Sequence, residues 1–419
     1  MEVGRDGTTG AIVYLENRKL QSTRPGRPLP PHPSLRLALV TLNDSTDVHE
    51  WSGLNYHIAR SLEQAGATLY RIGPLRPHWS PIMRVRQRWY DATGRAYHAA
   101  ADPAALAAMG AQARGQIPAD ADAVLAVTSL VAAALGPLHL PLASWDDATN
   151  AALMGYYPDF TRMAPVSLRQ SDALGRRAAE SVSLAIYASE WAAASARDAY
   201  GLPAEHVAVV PFGANLERLP ARELVDAAIS ARPDDVCRLL WVGVDWERKG
   251  GALAIAIAQA LHDAGIAVEL TVVGCEPEHR ATLPDWVRVE GFISKRSPHG
   301  EARLAALFAR SHFFVMPSKA EAYGLVYAEA AAFGVPAVAI VTGGVPTIVV
   351  NDETGLLEQP DAVAARYAAR MMSLLGDRSR YEQMARAARR RAEARLNWSV
   401  AGADVLARLE RLRAITTPT

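Results

Sequence analysis

The segment PSKAEAYGLVYAEAAAFGVPAVAIVTGG, residues 317–344, decides the fold class of this 419-residue chain. An apolar run, HFFVMPS, leads into it, and a loop, a helix of small residues, a second apolar run and a glycine turn follow. This succession predicts a parallel sheet, in which strand ends and helix starts meet at one edge. Free N–H groups at such an edge favour phosphate. The two acids here, Glu321 and Glu329, therefore need another ligand, and sugar hydroxyls are suitable.

These residues resemble the signature of the retaining nucleotide-sugar glycosyltransferases of the GT-B fold, glycosyltransferase family four. That signature is E-x7-E, a helix of small residues, G-x-P, a strand and G-G-x-P. Here it corresponds to Glu321 and Glu329, then residues 334–336 and 343–346. An E-x7-E pair alone is common by chance, whereas the whole series in this order is specific. The resemblance implies two Rossmann-like, doubly wound α/β domains facing across a deep cleft, and transfer of a hexose from a nucleotide-diphosphate sugar to an acceptor hydroxyl.

The rest of the chain predicts two similar α/β halves. Residues 1–33, rich in Pro, Arg and Gly, predict a flexible N-terminal arm. Short apolar runs alternate with helical patterns over 34–218, which predicts a Rossmann-like domain that the resemblance assigns to the acceptor. A less regular linker, 219–235, precedes a second such domain at 236–395, which the resemblance assigns to the donor. A last helix at about 396–416 is expected to return to the N-terminal domain, again from the resemblance.

Composition excludes several function classes. Half of the residues are hydrophobic and a fifth are charged, which predicts a large core. The formal net charge of zero argues against nucleic acid as a partner. Two cysteines, Cys237 and Cys275, predict no disulfide framework and lack metal-ligand spacing. Because neither a membrane span nor a signal peptide is indicated, we expect a cytoplasmic protein.

The segment WVGVDWERKGG, residues 241–251, follows a strand and opens a helix. Arg248 and Lys249 precede a pair of glycines, where a backbone approaches a ligand closely. Two cations there could hold a diphosphate and stabilise the charge that develops as the sugar leaves, and we take both as catalytic candidates. A solvated charge cluster is the alternative. Lys249 matches the family lysine. The family arginine directly after the strand glycine is missing, since Val244 stands there, and Arg248 is its candidate replacement.

The resemblance implies that Glu321 contacts the transferring sugar, as a catalytic residue, and that Glu329 accepts hydrogen bonds from the donor ribose. An ordinary surface glutamate is the alternative for each. Further candidate donor contacts share a place at a strand end or turn of the same edge: Tyr323, Gly324, Leu325, Gly274, Phe292, Ile293, Thr342, Gly343 and Gly344. Gly53 is a candidate from the N-terminal half, where it precedes the first helix on a loop expected to approach the sugar. Core packing, or a glycine that serves only its turn, is the alternative for these.

The segment SWDDAT, residues 144–149, ends a strand of the N-terminal half at the expected cleft. Many members of the family carry a histidine there, whereas this chain has Asp146 followed by Asp147. We carry over the position but not the histidine chemistry, and take Asp146 as the fourth catalytic candidate, which binds sugar hydroxyls or engages the acceptor. The pair is not a D-x-D motif, so we expect neither a metal nor another cofactor. His57 is expected on a helix face rather than in catalysis.

Residues 71–90 interleave arginines with Trp79, Trp89 and Tyr90. Such a segment could contact the inner face of an anionic membrane, or a lipid-linked acceptor. The alternative interpretation of this segment is a solvated helix whose aromatic side chains point inward. The acceptor stays open as a carbohydrate, a lipid-linked compound or another hydroxyl compound, and so does the oligomeric state.

Other functions fit parts of the pattern. A retaining glycoside hydrolase would hold its two carboxyl groups about 5–5.5 Å apart, whereas residues eight apart in one helix are about 12 Å apart. A sugar-nucleotide epimerase, a phosphorylase and an inactive nucleotide-sugar-binding scaffold on a similar fold are further alternatives. The resemblance favours a transferase in cell-surface glycan or glycolipid synthesis.

Overall fold

The apolar runs of the sequence form two parallel sheets in the computed structural model, which describes residues 34–48, 50–77, 79–277, 282–295 and 297–416. The predicted flexible arm, residues 1–33, lies outside these ranges. Residues from Leu35 onward form one unit that contains both sheets.

The first sheet has the strand order β2-β1-β3-β4-β5-β6 and every pairing is parallel. Its strands are β1 Arg36–Val40, β2 Thr68–Ile72, β3 Ala123–Val127, β4 Leu142–Asp146, β5 Leu184–Tyr187 and β6 Val207–Val209. The helices that alternate with them are α1 Leu54–Gln64, α2 Pro81–Ala92, α3 Pro103–Arg114, α4 Ser129–Leu135, α5 Asn150–Leu153, α6 Pro165–Ser181 and α7 Glu190–Tyr200.

The second sheet has the order β12-β11-β10-β7-β8-β9 and is also parallel throughout. Its strands are β7 Cys237–Val242, β8 Val268–Val273, β9 Val287–Gly291, β10 Phe313–Val315, β11 Ala337–Ile340 and β12 Gly355–Glu358. The remaining helices are α8 Arg222–Ser230, α9 Gly251–Asp263, α10 Pro298–Arg310, α11 Leu325–Ala332, α12 Val345–Ile348, α13 Ala364–Leu375, α14 Arg378–Ala394 and α15 Trp398–Thr416.

Helices cover both faces of these sheets, as β1 illustrates. Leu37 and Leu39 pack into a core cluster with Ile58 of α1, whereas Ala38 and Val40 belong to a second cluster on the opposite face. Successive side chains of a strand point to opposite faces, so an uninterrupted apolar run indicates a strand buried on both sides. The predicted doubly wound α/β class is confirmed.

Two helix starts bring the cleft-side loops of the second sheet together. Gly250 caps α9 with φ of 71°, and a Cβ there would lie 2.0 Å from the carbonyl oxygen of Pro317. Gly324 caps α11 with φ of 98°. Side chains are strained in this left-handed region, so both positions favour glycine. At Gly250 the missing side chain also lets the loops after β7 and β10 pack against each other.

The last helix, α15, packs against α1 of the first half. A Cβ at Gly402 would also lie 2.4 Å from the carbonyl oxygen of Ser61, so the two backbones approach closely. Within the described ranges, none of the helices combines the length and apolar character that a membrane crossing needs.

Candidate functional site

A cleft of about 1070 Å³ takes its lining from both halves of the chain. The N-terminal half contributes, among others, Trp51, Ser52, Leu54, His57, Asp147, Tyr157 and Phe212. The C-terminal half contributes, among others, Gly243, Arg248, Lys249, Gly274, Phe292, Ile293, Lys295, Glu321, Tyr323, Gly324, Leu325 and Glu329.

Lys249 and Arg248 meet Glu321 on the floor of this cleft. The ammonium of Lys249 donates to Oε2 of Glu321, and a guanidinium nitrogen of Arg248 lies 3.7 Å from the same oxygen. Arg248 also contacts the carboxylate of Asp245 at 3.0 Å and donates to the carbonyl of Ala320 at 3.0 Å. The side chains of Lys249 and Glu321 are only 13% and 9% exposed. The structure thus brings together three of the four predicted catalytic residues.

Glu329 lies in α11, and its side chain is 6% exposed. Lys295 reaches it from the loop after β9, with Nζ 2.5 Å from Oε1. The same ammonium is 3.5 Å from the backbone oxygen of Asn215. Sequence reasoning missed Lys295, although one signal was available. The chain has 44 basic residues and only four of them are lysines, so each lysine is informative.

The two aspartates at the end of β4 point in different directions. The carboxylate of Asp146 accepts hydrogen bonds from the N–H and hydroxyl of Ser129, at 2.6 and 2.7 Å, and from the N–H of Asp147 at 2.9 Å. Asp147, not Asp146, lines the cleft. We therefore transfer the prediction at this position from Asp146 to Asp147. Burial, followed by the nearby Asp146 carboxylate, raises the pKa of Asp147 to about 8, so this side chain is mainly neutral at pH 7.

Two tyrosines of the N-terminal half hold the loop that carries the first glutamate. The N–H groups of Glu321 and Ala322 donate to the hydroxyls of Tyr156 and Tyr157, at 2.9 and 2.8 Å. Tyr156 also contacts the hydroxyl of Thr342 at 2.7 Å. Burial raises the pKa of both tyrosines, so both stay neutral phenols. Sequence reasoning missed this pair, since each contact joins residues 165 or more positions apart.

Thr342, Gly343 and Gly344, predicted as donor contacts, lie behind this loop instead of in the cleft lining. The N–H of Gly344 donates to the carbonyl of Glu321 at 3.1 Å, and a Cβ at Gly343 would lie 2.0 Å from that oxygen. The glycines therefore permit a close backbone contact that supports Glu321.

Gly53 is also absent from the cleft lining, although its neighbours on both sides belong to it. It caps α1 with φ of 78°, and a Cβ there would lie 2.7 Å from the carbonyl oxygen of Val48. The other predicted donor residues, from Tyr323 to Leu325 and at Gly274, Phe292 and Ile293, do line the cleft.

His57 of α1 lines the cleft as well and stacks on Trp398, with ring centroids 5.6 Å apart. Burial lowers the pKa of His57 to about 4, so the imidazole is neutral at pH 7. In the part of the chain that the structure describes, no group of three or more His, Cys, Asp or Glu side chains is placed to hold a metal ion.

Two parallel α/β halves that share a cleft lined by cations and carboxylates define the GT-B class of fold. The chain is similar to sucrose-phosphate synthase from Thermosynechococcus elongatus, with a TM-score of 0.63 and 19% identity over 91% of this chain and 100% of that one. It is also similar to HepE of Anabaena, in a structure with UDP-glucose, with a TM-score of 0.56 and 16% identity over 90% of this chain and 99% of that one. These likenesses establish the fold.

The sequence of the second half is similar to known glycosyltransferases. Residues 226–391 match the family model described as glycosyl transferases group 1. Over 209 residues the chain is 30% identical to D-inositol 3-phosphate glycosyltransferase of Streptomyces avermitilis, which covers 50% of this chain and 40% of that one. Over 203 residues it is 34% identical to glycogen synthase of Mycobacterium tuberculosis, which covers 45% and 47%. The chain therefore spans less than half the length of these relatives. Residues 226–391 are thus similar to the group 1 glycosyltransferases, which confirms the resemblance to a glycosyltransferase family over this segment.

Proposed function

We propose that this protein is a retaining glycosyltransferase that moves a hexose from a nucleotide-diphosphate sugar to an acceptor hydroxyl. One observation carries the proposal: two lysine–glutamate pairs, Lys249 with Glu321 and Lys295 with Glu329, lie in one cleft. Each pair combines a cation suited to phosphate with a carboxylate suited to hydroxyl groups, and a sugar attached to a diphosphate needs both. The likeness to HepE, whose structures contain UDP-glucose and UDP, supports a donor of this chemistry.

We assign the diphosphate to Lys249 and Arg248. Both side chains are largely buried, at 13% and 18% exposed, so their charges are weakly screened by water. The start of α11, at Leu325, adds backbone N–H groups of a helix N-terminus and the positive end of its dipole to the same cleft. Negative charge that grows on the leaving phosphate would be stabilised by groups already in place.

We assign the two carboxylates to hydroxyl groups of the donor. We assign the transferring sugar to Glu321, which lies beside the diphosphate cations. We assign the ribose to Glu329, which lies in α11. The family resemblance gives these two roles, and the cleft position of both side chains supports them.

The protonation of Asp147 supports a route without a protein base. Because its pKa is about 8, the carboxyl group is mainly protonated at pH 7 and donates a hydrogen bond to a sugar or acceptor oxygen. We infer that the departing diphosphate takes the proton of the acceptor hydroxyl. The acceptor then attacks from the side that the diphosphate leaves, and the anomeric configuration is retained.

A glycoside hydrolase receives less support from the same residues. A retaining hydrolase needs one of its two carboxyl groups as a proton donor to the leaving group. Here each glutamate accepts a hydrogen bond from a lysine ammonium, so neither is poised to protonate a leaving oxygen. The resemblance leads us to place the transferase in cell-surface glycan or glycolipid synthesis, with a carbohydrate, lipid-linked or other hydroxyl acceptor.

Titration calorimetry with UDP, ADP and GDP tests the proposal, followed by donor hydrolysis with sugars of the nucleotide that binds best. We expect one nucleotide diphosphate to bind, Lys249→Ala and Lys295→Ala to weaken that binding, and the released sugar to keep its anomeric configuration by NMR. Lys319→Ala is a matched control, since Lys319 also pairs with a glutamate, Glu247, but lies outside the cleft lining. Absence of nucleotide binding, or equal losses in the control, would contradict the proposal. Binding without hydrolysis or transfer would indicate an inactive scaffold.

A further inference from the structure

Helix α2 carries an apolar stripe on its outer side. Ile82, Val85 and Trp89 are 65%, 67% and 60% exposed, and Trp79, just before the helix, is 40% exposed. At 3.6 residues per turn the three helical side chains fall within an arc of about 60°. The helix is attached to the protein through a different side, where Met83 and Tyr90 pack in a small cluster with residues after the helix. The stripe thus faces away from the core that anchors the helix.

Arginines border this stripe. Arg88 follows one side of it and Arg86 the other, Arg84 lies farther round the helix beyond Arg88, and all three are exposed. Arg86 lies 3.5 Å from the carboxylate of Asp102, whereas the described part of the chain offers Arg84 and Arg88 no ion pair. Residues 76–95 contain five arginines and one acidic residue, a local net charge of +4 in a chain whose formal net charge is zero.

We propose that this surface, α2 together with Trp79, docks the protein on an anionic lipid bilayer. The helix would lie in the plane of the interface, with the apolar stripe at the boundary of the acyl chains and the arginines at the headgroup phosphates. Tryptophan side chains favour that boundary because their rings combine an apolar body with a polar N–H group. This surface is separate from the proposed donor site, since none of its residues lines the cleft.

The charges favour a bilayer over a second copy of the chain. In a twofold contact the same surface meets itself, so the arginines on one copy would face those on the other. A bilayer offers negative headgroups beside apolar chains over a wide plane, which matches an exposed stripe on a convex helix. An acidic protein groove is the competing occupant, and the test separates it from lipid.

Vesicle flotation measures the docking directly. The full chain is mixed with phosphatidylcholine vesicles, with and without phosphatidylglycerol at about a third of the lipid. We expect binding that requires the anionic lipid and weakens as salt rises. Arg84→Gln with Arg88→Gln should lower the partition coefficient about 30-fold, because each arginine near an anionic surface contributes about 1 kcal/mol. Ile82→Ser with Trp89→Ser should lower it by at least as much, through lost apolar burial.

Matched controls lie on other helices. Leu224→Ser on α8, where the leucine is 69% exposed, and Arg390→Gln on α14, also exposed, should bind vesicles like the parent. Because all the substituted side chains are exposed, thermal unfolding should be unchanged in every variant.

Fluorescence quenching gives a second measurement. Brominated lipid should quench the tryptophan fluorescence of the parent, and should quench that of the double variant Trp79→Phe with Trp89→Phe much less. The proposal is overturned if the parent floats equally with neutral and anionic vesicles, or if the α2 variants bind as the parent does. Either result would leave an acidic protein as the occupant to seek.

Discussion

Replacing Glu329 by alanine should abolish the protein's preference for a nucleotide whose ribose carries free hydroxyl groups. The Glu329 side chain lies in the cleft and is 6% exposed. Its Oε1 accepts a hydrogen bond from Lys295, while no described side chain or backbone group donates to its Oε2. That second oxygen is therefore left for a ligand, and a ribose hydroxyl is the proposed one.

The magnitude follows from the chemistry of this contact. A hydrogen bond between a neutral hydroxyl and a charged acceptor contributes about 1.5–3 kcal/mol, which corresponds to a change in Kd of about 10- to 150-fold. The cost to folding should be small, because Lys295 is 38% exposed and stays hydrated after its partner is removed. The change should thus appear in binding, with little change in Tm.

The assay is titration calorimetry with UDP and with 2′,3′-dideoxy-UDP, or with the corresponding pair for whichever nucleotide binds best. The parent should bind the ribose form about 10- to 150-fold more tightly, and Glu329→Ala should bind both forms equally. Glu329→Gln, which keeps one acceptor oxygen, should discriminate to an intermediate degree. Lys319→Ala, whose exposed ion pair lies outside the cleft lining, should discriminate like the parent. If Glu329→Ala keeps the parent's ratio, Glu329 does not hold the ribose and its assigned role is wrong.

Further consequences concern the leaving group, two titrating side chains and a glycine. Lys249→Ala should lower kcat for donor hydrolysis about 100- to 1000-fold, the usual cost of losing one preorganised donor to a developing anion, while the Kd for the donor changes less. Burial raises the pKa of Asp147 to about 8, so between about pH 4 and pH 8 the folded state holds a proton that the unfolded chain has lost. Tm should therefore fall as pH rises through this range, and Asp147→Asn should make the fall smaller. Burial lowers the pKa of His57 from 6.5 to about 4, so between these two pH values the unfolded chain binds a proton that the folded state does not. Tm should therefore drop as pH falls through this range, and the drop should be smaller in His57→Gln. Gly343→Ala, which would press a Cβ against the carbonyl of the first glutamate, should reduce both Tm and donor binding, whereas Gly201→Ala, at φ of 67° with open space around it, should cost only about 1–2 kcal/mol of stability and leave binding unchanged.

The sheets were predictable because the information for each strand is local. Runs such as 35–42 and 123–129 contain the whole of their strands, Arg36–Val40 and Ala123–Val127. A parallel sheet buries both faces of a strand, so its strands carry uninterrupted apolar runs, and the helices between them follow from helical periodicity. The cleft position of Lys249 was predictable for a related reason, since a loop after a parallel strand must lie at the ligand-binding edge.

The choice between Asp146 and Asp147 was beyond the reach of the sequence. Neighbouring residues at the end of a strand point to opposite sides, so an error of one position exchanges a buried carboxylate for one in the cleft. The deciding contact is with Ser129, 17 positions away, whose N–H and hydroxyl bind Asp146. That contact depends on how β3 and β4 are aligned, and neither aspartate carries this information locally.

The glycines of the sequence predicted close backbone approaches but not the partners in those approaches. The pair Gly343–Gly344 was predicted to approach a ligand, and it does permit a close approach, but to the backbone of Glu321. A glycine shows that a position has a positive φ or no room for a Cβ, and it does not show what fills the space. Tyr156 and Tyr157, which complete the support of this loop, carried no pattern that separates them from core tyrosines.

The choice of lysine over arginine in the cleft has a physical consequence for the proposed chemistry. Arginine is ten times commoner than lysine in this chain, yet the hydrogen-bonded cation of both motif glutamates, Glu321 and Glu329, is a lysine, and Arg248 comes only to 3.7 Å of Glu321. A guanidinium fork tends to engage both oxygens of a carboxylate, whereas an ammonium is a point charge that needs only one. In each pair the lysine contacts a single oxygen, Oε2 of Glu321 or Oε1 of Glu329. The other oxygen stays available to accept from a hydroxyl group, and the ammonium keeps donors for a phosphate. Lysine at these two positions therefore lets one pair serve both parts of a nucleotide sugar, which arginine in the same place would hinder.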